Sequence, residues 1–101
     1  ATLFHAGKVL KIFPSNSSIE VVIDGLSKPH GGMLYPNGYL VTSTGSGAVY
    51  CKGENELNIY DFSTLPSKPV ALKNLEWLQF SNCLDDIVLS VDSNRHALVC
   101  V

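Results

Sequence analysis

LSKPHGGMLYPNGYLVTSTGSGAVYCK, residues 26–52, returns in pattern as LEWLQFSNCLDDIVLSVDSNRHALVCV, residues 75–101, forty-nine positions later and without a gap. Leu26, Leu40, Ala48 and Cys51 fall on identical residues, Leu75, Leu89, Ala97 and Cys100, while pairs such as Ser43 with Asp92 keep only their polarity. The same shift lays Lys8–Leu26 over Leu57–Leu75, with Leu10 on Ile59 and Phe13 on Phe62. A period near fifty residues belongs to propellers and arrays, in which each unit is one supersecondary element that cannot bury its face alone.

Outward from that repeat, the chain reads as strands and turns. Val9–Phe13 and Ile19–Ile23 are β-branched runs on either side of Pro14–Ser18, which predicts strand, turn, strand. Gly31–Tyr35, Tyr39–Thr42 and Ala48–Cys51 follow, separated by the turn signals Pro36-Asn37-Gly38 and Gly45-Ser46-Gly47. A polar break at Lys52–Glu56 precedes Leu57–Phe62, and Val70–Leu72 is a further short strand beyond Pro66 and Pro69. Trp77–Phe80, Ile87–Val91 and Ala97–Val101 are the last three strands, with Asp85-Asp86 and Asp92–Asn94 as turns. No segment carries a helical period. The continuous apolar character of Tyr39–Val41 and of Val88–Leu89 predicts second strands buried on both faces.

The expected fold is therefore all-β: four-stranded, propeller-like repeats in one domain spanning residues 1–101. Residues 1–25 read as the outer half of a blade, 26–74 as a full blade and 75–101 as a partial one. Open strand edges need cover. The N-terminal segment of one chain is thus expected to complete the last blade of a neighbour, and three copies would close a six-bladed ring with the chain itself as partner.

Bulk properties narrow the partners. Charged residues are 16% of the chain, against about 25% in an ordinary globular domain, so part of the surface is expected to be covered. Seven basic and nine acidic residues give a net charge of −2 without any basic cluster, so no nucleic-acid partner is expected. No apolar run reaches the length of a membrane span, and no membrane partner is expected. Cys51, Cys83 and Cys100 are odd in number and match neither a disulfide framework nor a zinc spacing, which predicts reduced, buried thiols and a cytoplasmic setting. No cofactor motif is present, and no cofactor is expected.

Leu26-Ser27-Lys28-Pro29-His30-Gly31-Gly32, Asn37–Val41 and Ser43–Val49 together resemble the NHL-type propeller repeat, which runs Leu, Pro, Gly, an apolar strand, a turn, a second apolar strand, then Asp, Asn and Arg before valine. The second copy keeps the last part as Asp92-Ser93-Asn94-Arg95-His96-Ala97-Leu98 and departs at Leu78 and Phe80, where the pattern has Pro and Gly. The resemblance implies a propeller, a fold that hosts hydrolases, lyases, lectins and interaction platforms alike. Pro29-His30 also resembles a segment of the peptidylglycine-lyase family, where a histidine after such a proline is a zinc ligand.

Candidate chemistry is sparse. His30 precedes the innermost strand and is the candidate metal ligand, because three copies around a ring axis would offer three imidazoles with an open position. Its other reading is a loop histidine satisfied by backbone or solvent. Trp77 is a stacking platform for a sugar or other small ligand, or else a core anchor. Asp92, Arg95 and His96 could hold an anion or a carboxylate at the ring face, or serve as a structural turn. Adjacent Asp85 and Asp86 point apart, and no Ser or Cys sits in a nucleophile setting. The first expectation is a noncatalytic module that binds a small molecule or protein. The alternatives are a metal-dependent hydrolase or lyase built on His30, and a piece of a longer propeller.

Overall fold

The computed structural model describes residues 1–35 and 38–101; two residues of the turn expected at Pro36-Asn37-Gly38, Pro36 and Asn37, lie outside them. The described residues form ten strands: β1 (Thr2–Leu3), β2 (Lys8–Phe13), β3 (Ser18–Ile23), β4 (Pro29–Tyr35), β5 (Gly38–Ser43), β6 (Ala48–Gly53), β7 (Leu57–Asp61), β8 (Leu78–Leu84), β9 (Ile87–Asp92) and β10 (Ala97–Cys100). They make three antiparallel sheets, ordered β1-β2-β3, β4-β5-β6-β7 and β10-β9-β8. The only helical pieces among the described residues are 3-10 turns at Thr44–Ser46 and Val70–Leu72.

The forty-nine-residue shift is a structural operator over its second half. It carries β4 onto β8 and β5 onto β9 end for end, and the start of β6 onto that of β10. Over Lys8–Leu26 it is not. There it would equate β2 with β7, yet β2 is the middle strand of its sheet and β7 an edge. The geometric counterpart of β2 is β6, forty residues on. Each follows a left-handed glycine, Gly7 at φ 67° and Gly47 at φ 69°. Each glycine carbonyl accepts from the residue that closes the unit, Leu26 N at 3.0 Å and Phe62 N at 2.9 Å. A Cβ on Gly7 would run into the Leu26 carbonyl oxygen, so this junction requires glycine. The hydrophobic match of Phe13 with Phe62 is one of composition.

The expectation of a strand at Val70–Leu72 is corrected. Pro69 at φ −55° and ψ 142° leads into a 3-10 turn, and Val70 is 84% exposed. β7 already holds the outer edge of that sheet, and proline at 66 and 69 removes ladder donors. Four strands per unit therefore describe the middle sheet, while the first and third have three.

Two apolar cores separate the three sheets. Val41 packs with Val9, Ile23 and Leu26 between the first and second sheets, whereas Leu40, Val49, Cys51 and Phe62 pack with Leu78 and Val88 between the second and third. Successive side chains of a strand point to opposite faces, so β5 serves both cores and Leu40 through Ser43 are all buried. A buried hydroxyl chain crosses the second interface, Thr42 Oγ1 donating to Ser81 Oγ at 2.8 Å and Ser81 Oγ lying 2.8 Å from Ser90 Oγ. A polar chain of this kind fixes the register of one sheet on the next. β9 differs: Val88 faces the second core and is buried, while Leu89 points to the opposite face of the third sheet and is only half-buried. The result is a slab of 49 × 30 × 19 Å with a radius of gyration of 14.0 Å, more extended than the roughly 13 Å of a compact chain of this length.

Candidate functional site: an aromatic and basic rim

Lys28 and Trp77 are equivalent under the repeat, each standing one residue before the first strand of its sheet, β4 or β8. These strands approach at one end of the slab, with the β1–β2 turn beside them. The His30 ring lies 5.1 Å from that of Phe4 and 6.0 Å from that of Trp77, while Phe4 stands edge-on to His5 at 5.0 Å. Lys28 Nζ sits 5.8 Å from the Trp77 ring centroid, within cation–π range. Trp77 Nε1 donates to Gln79 Oε1 at 2.7 Å, and His30 Nδ1 shares a hydrogen bond of 2.8 Å with Thr44 Oγ1. The rim thus combines aromatic faces, a cation and an amide from all three sheets.

Beside it, Glu76 leads into a second cluster. Arg95 Nη1 donates to Asp92 Oδ2 at 2.8 Å and to Glu76 Oε2 at 3.3 Å. Lys68 pairs with Glu76 from the other side. The remaining guanidinium hydrogens go to carbonyls of the 63–66 loop: Nη2 to Leu65 at 2.7 Å and Ser63 at 3.1 Å, and Nε to Leu65 and Pro66, each at 3.1 Å. The Arg95 side chain is 3% exposed and that of Asp92 0%. Burial works against the charge of Arg95, but its bonds to Asp92 and Glu76 outweigh it and hold the guanidinium above its ordinary pKa. The cluster locks the long 62–77 connection onto the β9–β10 turn, and its donors are occupied by protein acceptors.

The structure therefore brings His30 to Trp77 and Asp92 to Arg95, with Glu76-Trp77 as the hinge between the pairs. His96 joins neither. It is exposed at φ 50°, in the place where Gly47 stands one repeat earlier. Phe4, Lys28, Glu76 and Lys68 escape the sequence reading, and Gln79 enters it only as the residue that stands in place of His30 in the second copy; Lys28 carries a similar signal, its repeat equivalence to Trp77. Among the described residues no three His, Cys, Asp or Glu side chains gather as a metal set within one chain. Cys51, Cys83 and Cys100 are free thiols. The expectation that all three are buried is corrected: Cys51 is buried, Cys83 half-buried and Cys100 exposed, since Cys100 lies opposite Leu89 on the outward face of the third sheet. No helix among the described residues is long and apolar enough to cross a membrane.

No family model, no curated protein and no solved structure matches the chain.

Proposed function

We propose that this chain is a noncatalytic binding module of the β-propeller class, in which further copies of the chain close a ring and the aromatic and basic rim receives a small ligand or a protein loop. The observation that carries the reading is the convergence of Phe4, Lys28, His30 and Trp77 from three sheets on one end of the slab. Propellers assemble sites in this way, from the strand ends of several blades. Flat rings beside a cation and an amide suit a ligand with one apolar face and polar edges, such as a sugar ring. Sheet-on-sheet packing through β5, together with the NHL-type pattern of residues 26–49, supports the class.

Trp77 is the single tryptophan, so its fluorescence reports on the rim alone. Titration with a panel of mono- and disaccharides is expected to give a saturable change with at least one sugar, weakened about tenfold or more by His30→Ala and by Lys28→Ala. A panel without saturable response, or a response indifferent to both substitutions, would contradict a sugar-binding rim.

A further inference from the structure

The repeat operator says what belongs on the uncovered faces of the slab. The middle sheet presents Leu40, Val49 and Cys51 to the third sheet, and forty-nine residues on stand Leu89, Leu98 and Cys100, on the face of the third sheet that points away. The middle sheet presents Tyr39, Val41 and Tyr50 to the first; their counterparts Val88, Ser90 and Val99 face the middle sheet in turn. The outward face of the third sheet is therefore built like a surface that another sheet covers. It also carries Leu84, Ile87 and Val91, and Leu98 is 66% exposed. At the opposite end, the pairing of Leu3 with Lys8, Leu10 with Val21 and Ile12 with Ile19 puts the apolar members on the outward face of the first sheet, where Ile19 is 62% exposed. Among the described residues the one charge on the strands of either outward face is Lys8, already paired with Asp24 at 3.6 Å. Two contiguous apolar faces exceed the scattered exposed side chains normal for a monomer.

We propose that these two faces cover each other between copies: the third sheet of one molecule docks on the first sheet of a second, and reciprocally, in a two-fold pair. Sharing of strands, as three-copy closure requires, would carry β2 and β3 together onto a neighbour and pull Val9 and Ile23 out of the core with Val41. Face-to-face docking leaves every strand pair intact and repeats the packing already present twice within the chain. Two copies of three sheets make six, inside the four to eight blades of propellers, whereas three copies would make nine. The count rests on the propeller reading; the complementarity of the faces does not.

The test is the solution mass by light scattering after size exclusion, at tens of micromolar, for the full chain and for Leu98→Glu and Ile19→Glu. Both positions are exposed in the single chain, so circular dichroism and Trp77 emission are expected to stay native; Leu98→Ser and Ile19→Ser stand in if either glutamate disturbs folding. The expected result is twice the 10.9 kDa of one chain, falling to one chain in each variant. A one-chain mass for the unaltered protein overturns the proposal, as does a three-chain mass. Dissociation by Leu98→Glu but not Ile19→Glu also overturns it, since the third sheet would then pair with itself. A one-chain mass with the Trp77 titration intact sinks this pairing and leaves the rim reading standing, and a two-chain mass without any titration does the reverse.

Discussion

Gly7, Gly47 and His96 occupy one backbone position in three successive units, each left-handed and each leading into a strand of its sheet, β2, β6 or β10. A side chain there costs roughly 1–2 kcal/mol. At 47 the cost would be compounded, because a Cβ would lie 2.8 Å from Glu76 Oε2. His96→Gly is accordingly expected to stabilise the chain by about 1 kcal/mol in urea titration; a neutral or destabilising result would mean that the imidazole makes an interaction worth as much as the strain. Cys51 tells a different residue-scale story. Burial first, and nearby Cys83 second, raise its thiol pKa from 9.0 to about 11. A raised pKa in the folded state gives stability that is full below the unfolded value and lost as pH climbs through the folded one, so the window is about pH 9 to 11. The thermal midpoint of the native chain should fall more steeply across that window than that of Cys51→Val, and parallel curves would refute the assignment.

At the scale of elements, the strands were legible because their turns were: Gly45-Ser46-Gly47, Asp85-Asp86 and the Pro14–Ser18 stretch each delimit runs that pair in the structure. β5 was legible for a second reason, its unbroken apolarity, which reflects cores on both sides. What escaped was connection and register. The match of β2 with β7 was a coincidence of apolar spacing, since hydrophobic pattern records which way a side chain faces but not the place of its strand in the sheet. Val70–Leu72 failed similarly, its apolar run lying on an exposed turn. The Arg95 cluster was half legible. Asp92 and Arg95 were visible as a pair, but Glu76, Lys68 and the carbonyls that engage the guanidinium lie 19 or more residues away, beyond any local signal. Because Asp92 is fully buried, Arg95→Ala leaves a carboxylate without its partner, and a loss of about 3–5 kcal/mol is expected. Arg95→Lys should recover only part of it, for want of the planar fork that reaches the loop carbonyls. Equilibrium unfolding of both variants measures this, and a loss below about 1 kcal/mol would show that the cluster is not the lock between the 62–77 connection and the third sheet.

At the scale of the molecule, three sheets are stacked by a repeated operation, each face-packed on the last, and the stack is left with an apolar face at either end. The rim of Phe4, Lys28, His30 and Trp77 exists because that stacking brings the starts of β4 and β8 together beside the β1–β2 turn, so the proposed binding and the proposed assembly depend on one geometry. Its parts were readable in advance as His30 and Trp77, whereas their meeting was not, since it depends on how neighbouring sheets sit. Small-angle X-ray scattering from the full chain tests this most directly. Ring closure by copies predicts a particle whose radius of gyration exceeds the 14.0 Å of a single slab and whose profile requires more than one chain. A profile fitted by a lone slab of 49 × 30 × 19 Å at every concentration would contradict it.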